Sequence, residues 1–424
     1  MARTGFSSKG ISWKSGTTFP SNPKTGEHFL HTPTGRTIEY EYDGSAWKPL
    51  QSYGTMALYV DSVDGTDDLN HGTGIDANAF KTLQYAWDML PNNIDGSSQI
   101  ESSYPVIIYL AATTDTENLT FVGPDKIPNH NGRIKIVGIL SSVTDGVATG
   151  GQKGAGAVVP SVTGTFTAGA NEGNLLKFTS GSNNNLYRVI GFTTTTTMYL
   201  SGLTLNAQPA NLDTYTIYNW GSKINGNLNM HNGVLGVDFY DVEFDAVSGS
   251  YGIQIWEACM SQFLHCKVYN NNLVTQSFNA SAGSLVLFDN SYMAIVGGRL
   301  GFVVENLGCL EINGGKIKGD GTLYCQGIQV SNNGIISRMS GMEISGTWSD
   351  ILIQSGGVVW LWTESVYSFL HGGSGYGILA QLHGIGWNTG ASYVVYGKKL
   401  DNSTVDANGT NTSAEAVSYS WLGA

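Results

Sequence analysis

The sequence predicts an all-β fold dominated by a right-handed parallel β-helix, and three observations predict it. First, one phrase recurs six times between Ile253 and Gly384: an apolar strand, a polar residue, two spacers and usually a glycine. The copies are Ile255-Trp256-Glu257, Phe278-Asn279, Val304-Glu305-Asn306-Leu307-Gly308, Val330-Ser331-Asn332-Asn333-Gly334, Ile353-Gln354-Ser355-Gly356-Gly357 and Ala380-Gln381-Leu382-His383-Gly384, with polar residues 22 to 27 positions apart. Second, a parallel ladder runs through Asp241-Val242-Glu243-Phe244, His265-Cys266-Lys267-Val268, Asp289-Asn290-Ser291-Tyr292, Gly314-Gly315-Lys316-Ile317, Gly341-Met342-Glu343-Ile344 and Thr363-Glu364-Ser365-Val366, spaced 24, 24, 25, 27 and 22. Third, the period is filled with short alternating strands instead of helical spacing, so each repeat is a coil that buries its apolar face only against its neighbours. Leucine-rich repeats share the period but need a leucine and asparagine consensus that is absent here.

Five segments follow in order. Residues 1–54 are polar, with turn signals at Asn22-Pro23-Lys24-Thr25-Gly26 and at Asp43-Gly44. Phe29, Tyr40, Tyr42 and Trp47 supply a small core for this β module. Residues 55–140 open with a strand at Leu58-Tyr59-Val60-Asp61. Asp76 is positioned to cap a helix through Leu90, with Phe80, Leu83, Trp87 and Leu90 on one face and Pro91 as its stop. A solenoid end exposes apolar side chains and strand edges, so this helix is expected to plug it. Strands Val106-Ile107-Ile108-Tyr109-Leu110, Leu119-Thr120-Phe121-Val122 and Ile134-Lys135-Ile136-Val137 then begin the coil.

The period fails after Ile139. Residues 141–220, rich in Gly and Thr, carry strand-like pieces at Leu175-Leu176-Lys177-Phe178, Tyr187-Arg188-Val189-Ile190 and Met198-Tyr199-Leu200. They read as a β insertion projecting from the solenoid. Residues 221–390 hold the rungs, and 391–424 form a C-terminal cap or trimerisation segment with a strand at Tyr393-Val394-Val395-Tyr396.

Composition narrows the function. Charged residues make up 13% of the chain, about half the usual share, and glycine and neutral polar residues replace them. The net charge is −12, and from Gly221 onward the only arginines are Arg299 and Arg338. No basic stripe exists to hold phosphates, so nucleic acid is excluded as a partner. A neutral polar surface suits carbohydrate. Lyase chemistry on a polyuronate needs cations to neutralise the substrate carboxylate, so a neutral sugar fits better. The N-terminus leads into polar residues with no apolar h-region, and no run of 18 apolar residues occurs, so neither an export signal nor membrane insertion is expected. Cys259, Cys266, Cys309 and Cys325 lack zinc-site spacing and read as small core fillers.

Several residues are candidates for chemistry. Alternation from Phe244 puts Glu243, Lys267, Ser291, Lys316, Glu343 and Ser365 outside, and Asp241, His265 and Asp289 with them. Rungs stack about 4.8 Å apart, so His265 falls between two carboxylates about 9.6 Å apart, at the edge of the range for inverting glycoside hydrolysis. The plainer alternative is a solvated ladder in which His265 screens Asp241 and Asp289. Glu257 and Glu305 form a second carboxylate pair two rungs apart, at corners where such side chains commonly bond the turn backbone. Trp256, Trp360 and Trp362 are candidate sugar-stacking residues within a dense set that includes Trp348 and Trp387, with core or subunit packing as the alternative. Asp61, Asp64, Asp67 and Asp68 offer hard oxygen ligands for calcium, but their spacing is no EF-hand and turn formation explains them. No metal and no cofactor is expected.

Two stretches carry a family resemblance. Phe19-Pro20-Ser21-Asn22-Pro23-Lys24-Thr25-Gly26-Glu27-His28-Phe29, closed by Tyr42-Asp43-Gly44-Ser45-Ala46-Trp47, resembles a short module of bacteriophage tail proteins. Tyr59-Val60-Asp61-Ser62-Val63-Asp64-Gly65 followed by Ala79-Phe80-Lys81-Thr82-Leu83-Gln84-Tyr85-Ala86 resembles the opening of phage tailspike and pectate-lyase-like β-helices. Over most of its length the chain is thus similar to a bacteriophage tailspike or tail fibre. The resemblance implies a homotrimer in the virion, held through residues 1–54 to a phage tail or baseplate protein and acting at the host cell surface, where it binds polysaccharide. Two functions stand: a non-catalytic receptor-binding tail protein, and a depolymerase of inverting hydrolase type. A secreted polysaccharide-degrading enzyme is a third, disfavoured by the missing export signal.

Overall fold

A computed structural model describes residues 14–361, with short gaps at 34–35, 92, 95–99, 102–103, 124–126, 129–132, 155–158, 202, 272–273, 298, 321–324 and 348. Beyond 361 it describes the backbone of Tyr367–Leu370, Tyr376–Ala380, Ile385–Asn388, Tyr393–Tyr396 and Trp421–Gly423. The chain divides into two compact units, residues 1–109 with 125–135, and residues 110–124 with 136–424.

The first unit opens with an antiparallel meander of His28–His31, Ile38–Tyr42 and Trp47–Ser52, to which Lys14–Gly16 adds in parallel. Asp43 fixes the second turn, its Oδ1 accepting from the backbone N–H of Ser45 and Ala46 at 2.8 Å. Phe29, Tyr40 and Trp47 are buried around Phe19, whose ring lies 5.0 to 5.4 Å from all three.

The helix expected from Asp76 to Leu90 is shorter and starts later. Asp76 sits in a 3-10 turn, Asp76–Asn78, at φ 54, and the α-helix spans Leu83–Asp88. Asp67 is the reason: its carboxylate accepts from the backbone N–H of Lys81 and Thr82, which holds the chain extended up to Thr82. Thr82 is the true N-cap, accepting from Tyr85 N–H at 3.2 Å. Phe80, Leu83, Trp87 and Leu90 are all buried even so.

The second unit is a parallel β-helix. One sheet stacks eight strands, Leu119–Val122, Leu228–His231, Gly249–Ile255, Val274–Ala280, Leu300–Val304, Gln326–Val330, Ser349–Ile353 and Tyr376–Ala380. Its inward columns are Ile253, Phe278, Phe302, Ile328 and Ile351, and Ile255, Ala280, Val304, Val330 and Ile353, all almost fully buried. In the other sheet each turn contributes two short strands at first, such as Met260–Leu264 and Lys267–Asn270. These fuse into single bent strands at Leu285–Ile295, Cys309–Gly319 and Ile335–Ser345. Its inward column is Phe244, Val268, Met293, Ile317 and Ile344.

Inside the coil, phenylalanines from both sheets interdigitate. Phe263 lies 5.0 Å from Phe239, 5.1 Å from Phe278 and 5.8 Å from Phe244. Cys259, Cys266 and Cys325 are buried, Cys309 is half-buried, and none of the four forms a disulfide.

The corners follow a two-residue left-handed pattern: Asn232-Gly233, Glu257-Ala258, Ala282-Gly283, Asn306-Leu307, Asn332-Asn333 and Ser355-Gly356 all have positive φ. This corrects the first ladder at two rungs. Glu305, Ser331 and Gln354 align with Trp256 and Ser281, whereas Glu257 aligns with Asn306 and Asn279 with Gln254. Glu257 and Glu305 therefore do not share a column. The second ladder slips at Asp289, because the bend residue there is Asn290 (φ 40), in line with Asp241 (φ 59), His265 (φ 53), Gly314 (φ 76) and Gly341 (φ 57). Lys267 consequently pairs with Tyr292 and not with Ser291. The last rung is Ser368-Phe369, three residues beyond the expected Ser365-Val366, which lie outside the described residues. Gly315 has to be glycine: at φ 109, a Cβ would stand 2.3 Å from the Ser291 carbonyl.

Residues 140–220 form a separate seven-stranded antiparallel sheet in the order Leu140–Val147, Thr214–Trp220, Leu175–Phe178, Tyr187–Thr193, Thr197–Leu200, Ser161–Thr163 and Gly150–Gln152. One core inside it packs Val162, Leu176, Phe178, Ile190, Met198, Leu200 and Ile217. A second cluster joins Leu175, Val189 and Trp220 to Tyr292 of the solenoid. The insertion does not simply project; it lies along the flank of the coil, held there by apolar contact.

Candidate functional site: a flank roofed by the insertion

The bend column lies under that insertion. Asp, Asn and Gly tolerate left-handed backbone best, which is why short polar residues recur at the bend. Asp241 and His265 occupy consecutive turns, with His265 Nδ1 3.4 Å from Asp241 Oδ1. That separation is an ion-pair distance without hydrogen-bond alignment, and Asp241 Oδ1 is buried with no hydrogen-bond partner. Asp289 stands one turn further; its Oδ1 accepts from Asn290 Nδ2 at 2.8 Å. Burial pushes the Asp289 carboxyl upward, opposed by the charges of His265 and Arg188 and by the Asn290 bond. The structure thus brings Asp241, His265 and Asp289 together along one flank.

The insertion supplies the roof. The Tyr187 ring stacks on the His265 imidazole, centroids 4.4 Å apart at 28°. Trp220 Nε1 donates to the His265 carbonyl at 2.6 Å. Arg188 is almost completely buried, and its guanidinium donates to the carbonyls of Tyr187, Leu203 and Thr204 and, at 3.4 Å, to Asn290 Oδ1. Burial lowers Arg188 to about 10, partly offset by Asp289. Inverting hydrolysis needs an open gap between its carboxylates for sugar and water. Here His265 lies beside both acids and Tyr187 covers it.

Further along the flank, the side chains expected outside are buried. Lys316, 1% exposed, donates to Glu172 Oε1 at 2.6 Å, to Glu343 Oε1 at 2.8 Å and to the Gly191 carbonyl. Lys318 donates to the other Glu172 oxygen at 2.6 Å. Glu243, also buried, sits 3.1 Å from both Lys223 and Lys267. Ser291 is buried beneath the bend, where its hydroxyl donates to the Asp289 carbonyl and accepts from Cys266 N–H. The insertion is the physical reason for Lys316 and Glu343: Gly191 comes so near that a Cβ there would overlap the Glu343 carboxylate. Sequence reasoning missed Glu172, Lys177, Tyr187 and Arg188 as partners of the flank. One signal was available, since Glu172, Lys177 and Arg188 are the only charges between Ser161 and Leu200.

The remaining candidates behave as turn residues. Glu257 Oε2 accepts from Asn232 N–H at 3.1 Å and lies 3.7 Å from His231 Nδ1. Glu305 Oε1 accepts from Asn279 Nδ2 at 3.0 Å. Trp256 is half-buried, with Nε1 donating to Asn229 Oδ1 at 2.9 Å and its ring 5.6 Å from that of His231. The backbone of Trp360 pairs with Trp387, while the side chains of both, together with Trp348 and Trp362, lie outside the described residues. Among the loop aspartates, Asp67 holds the helix start and Asp68 binds His71 at 2.6 Å. Asp61, Asp64 and Asp76 gather their oxygens within 4.8 Å of one another, with Asp61 Oδ1 accepting from the backbone N–H of Val63 and Asp64. Among the described residues, no helix is long and apolar enough to cross a membrane.

No protein-family model and no curated protein matches the chain. Among solved structures it is similar to the tailspike protein gp49 from Pseudomonas phage LKA1, at 10% identity over 70% of this chain and 71% of that one, with a TM-score of 0.19. It is also similar to the Gp54 tailspike of Acinetobacter baumannii bacteriophage AP22, solved in complex with A. baumannii capsular saccharide, at 10% identity over 69% and 64% of the two chains and a TM-score of 0.16. Superpositions this loose locate no site.

Proposed function

We propose that the chain is a trimeric bacteriophage tail protein that attaches the virion to host cell-surface polysaccharide without cleaving it, held to the tail or baseplate through residues 1–54. One observation supports this above others: a parallel β-helix on whose flank Lys316 is paired with Glu172 and Glu343, and Glu243 with Lys223 and Lys267. Such a scaffold offers partners neutral hydrogen-bonding groups and aromatic faces, which suit sugars and not phosphates or polyuronates. The tail-protein assignment and the trimer rest on the sequence resemblances at residues 19–47 and 59–86.

A second reading keeps Asp241 and Asp289 as the acid and base of an inverting hydrolase, with His265 between them. What favours it is the burial that raises the Asp289 carboxyl, as a general acid requires. The two readings part on product formation. The wild-type chain is expected to release no new reducing ends from a polysaccharide it binds, and Asp241→Asn and Asp289→Asn are expected to bind as the wild type does. Cleavage by the wild type that either substitution abolishes would establish the hydrolase instead. Light scattering of the native protein is expected to give three times 45.2 kDa; a monomer would remove the trimer from the account.

A further inference from the structure

The face of the insertion's sheet turned away from its own core carries, next to the Gly191 junction, an exposed feature that neither the buried flank nor the solenoid uses. Phe192 and Tyr199 are 49% and 37% exposed, paired directly across neighbouring antiparallel strands, with rings 6.5 Å apart at 20°. Met198 and Leu200, on either side of Tyr199, point into the insertion's own core, so strand alternation turns Tyr199 away from it. Exposed apolar surface rimmed by polar groups marks interaction sites.

The surroundings specify the chemistry of the partner. Thr163 lies across from Thr197 on the neighbouring strand, and Thr165, Thr167, Thr195, Thr196 and Gln152 are exposed. All three charges between Ser161 and Leu200 are engaged elsewhere: Glu172 with Lys316 and Lys318, Arg188 with the carbonyls of Leu203 and Thr204, and Lys177 over the Tyr187 ring at 5.1 Å. Lys153, one residue past Gln152, is the exposed charge next along the edge strand. A surface of two flat rings bordered by hydroxyls and an amide complements a neutral pyranose chain, whose C–H faces stack on rings and whose hydroxyls exchange hydrogen bonds with threonine.

We propose that Phe192 and Tyr199, paired and exposed on the sheet face turned away from the insertion's own core, form the stacking platform for a neutral polysaccharide. The proposal rests on the attachment function above and names the surface that performs it. The insertion is then a carbohydrate-binding module mounted on the coil, and the flank beneath it is its seat.

The test uses the full-length chain on an array of purified neutral and anionic bacterial capsular and O-antigen polysaccharides. It compares the wild type, the double variant Phe192→Ala/Tyr199→Ala, and the exchange Phe192→Tyr/Tyr199→Phe, which keeps both rings. The expected result is binding of a neutral polysaccharide by the wild type, preserved by the exchange and weakened roughly 10- to 100-fold in the double alanine variant. Equal binding by the alanine variant overturns the platform and leaves the attachment function standing. A fall in native mass of the alanine variant identifies the rings as a subunit contact and also overturns it. Binding of anionic members only contradicts the neutral surface, and no binding by the wild type removes the attachment reading itself.

Discussion

Replacing Lys316 with alanine should destabilise the protein by about 3–5 kcal/mol, the usual result of removing one partner from a buried ion pair. The ammonium stands between two carboxylates in a site where it is 1% exposed. Burial on its own would lower the Lys316 pKa, yet Glu343 and Glu172 outweigh it and hold the lysine above its ordinary value. Without it, Glu343 is left buried and negative beside Gly191. The insertion should loosen from the flank, so limited proteolysis should cut within 141–220 before any other described segment. A variant that removes the charges together, Lys316→Met with Glu172→Leu and Glu343→Leu, should recover most of the loss, since apolar replacement of a whole buried cluster is often neutral. Unchanged thermal stability in Lys316→Ala would show that the junction does not hold the insertion.

Acid should reach the same junction. Burial pushes the Glu172 carboxyl up, but the charge and hydrogen bonds of Lys316, with those of Lys318, more than compensate and hold it below its usual value. A depressed carboxylate stabilises the fold fully above its unfolded value, about 4.3 for glutamate, and loses that contribution as pH falls through the native one. Protease sensitivity of the insertion should therefore rise below about pH 4, and this rise should be absent in the charge-free triple variant.

The second large effect lies inside the coil. Phe263→Ala should cost about 3–5 kcal/mol, because Phe263 is fully buried against Phe239, Phe244 and Phe278 from three strands and the cavity cannot collapse between stacked turns. Its signature differs from that of Lys316→Ala: the whole β-helix should melt at lower temperature, with the insertion still docked until it does. Selective cleavage of the insertion in Phe263→Ala would contradict that division of roles.

The solenoid was legible in the sequence because stacking repeats the same demand every turn. Phe244, Val268, Ile317 and Ile344 share an inward column that period-two alternation reveals. Register slipped where the local cue was ambiguous. At Asp289-Asn290 either residue tolerates left-handed backbone, and the bend takes Asn290; at Ala280-Ser281-Ala282 the corner has no strong polar marker, so Asn279 stood out wrongly. The helix start was misplaced for a non-local reason, since Asp67 reaches fourteen residues ahead to bind Lys81 N–H.

The candidate site divides the same way. That Asp241, His265 and Asp289 lie on neighbouring turns follows from their spacing. What covers them does not: Arg188 meets Asn290, and Glu172 meets Lys316, across more than a hundred residues of chain with no shared period. A linear repeat shows which side chains point outward, but an inserted sheet decides which of those stay in water. Exposure, which a binding residue requires, passes from the ladder to Phe192 and Tyr199.

The most direct measurement is adsorption of the fluorescently labelled full-length protein to a panel of encapsulated bacteria, each beside an isogenic strain lacking its surface polysaccharide. The account predicts strong adsorption to at least one encapsulated strain, little changed between 0.05 and 0.5 M salt because screening weakens only charge-driven contacts, and lost when the polysaccharide is absent. Equal adsorption to both members of every pair, or adsorption that collapses with salt, would contradict it.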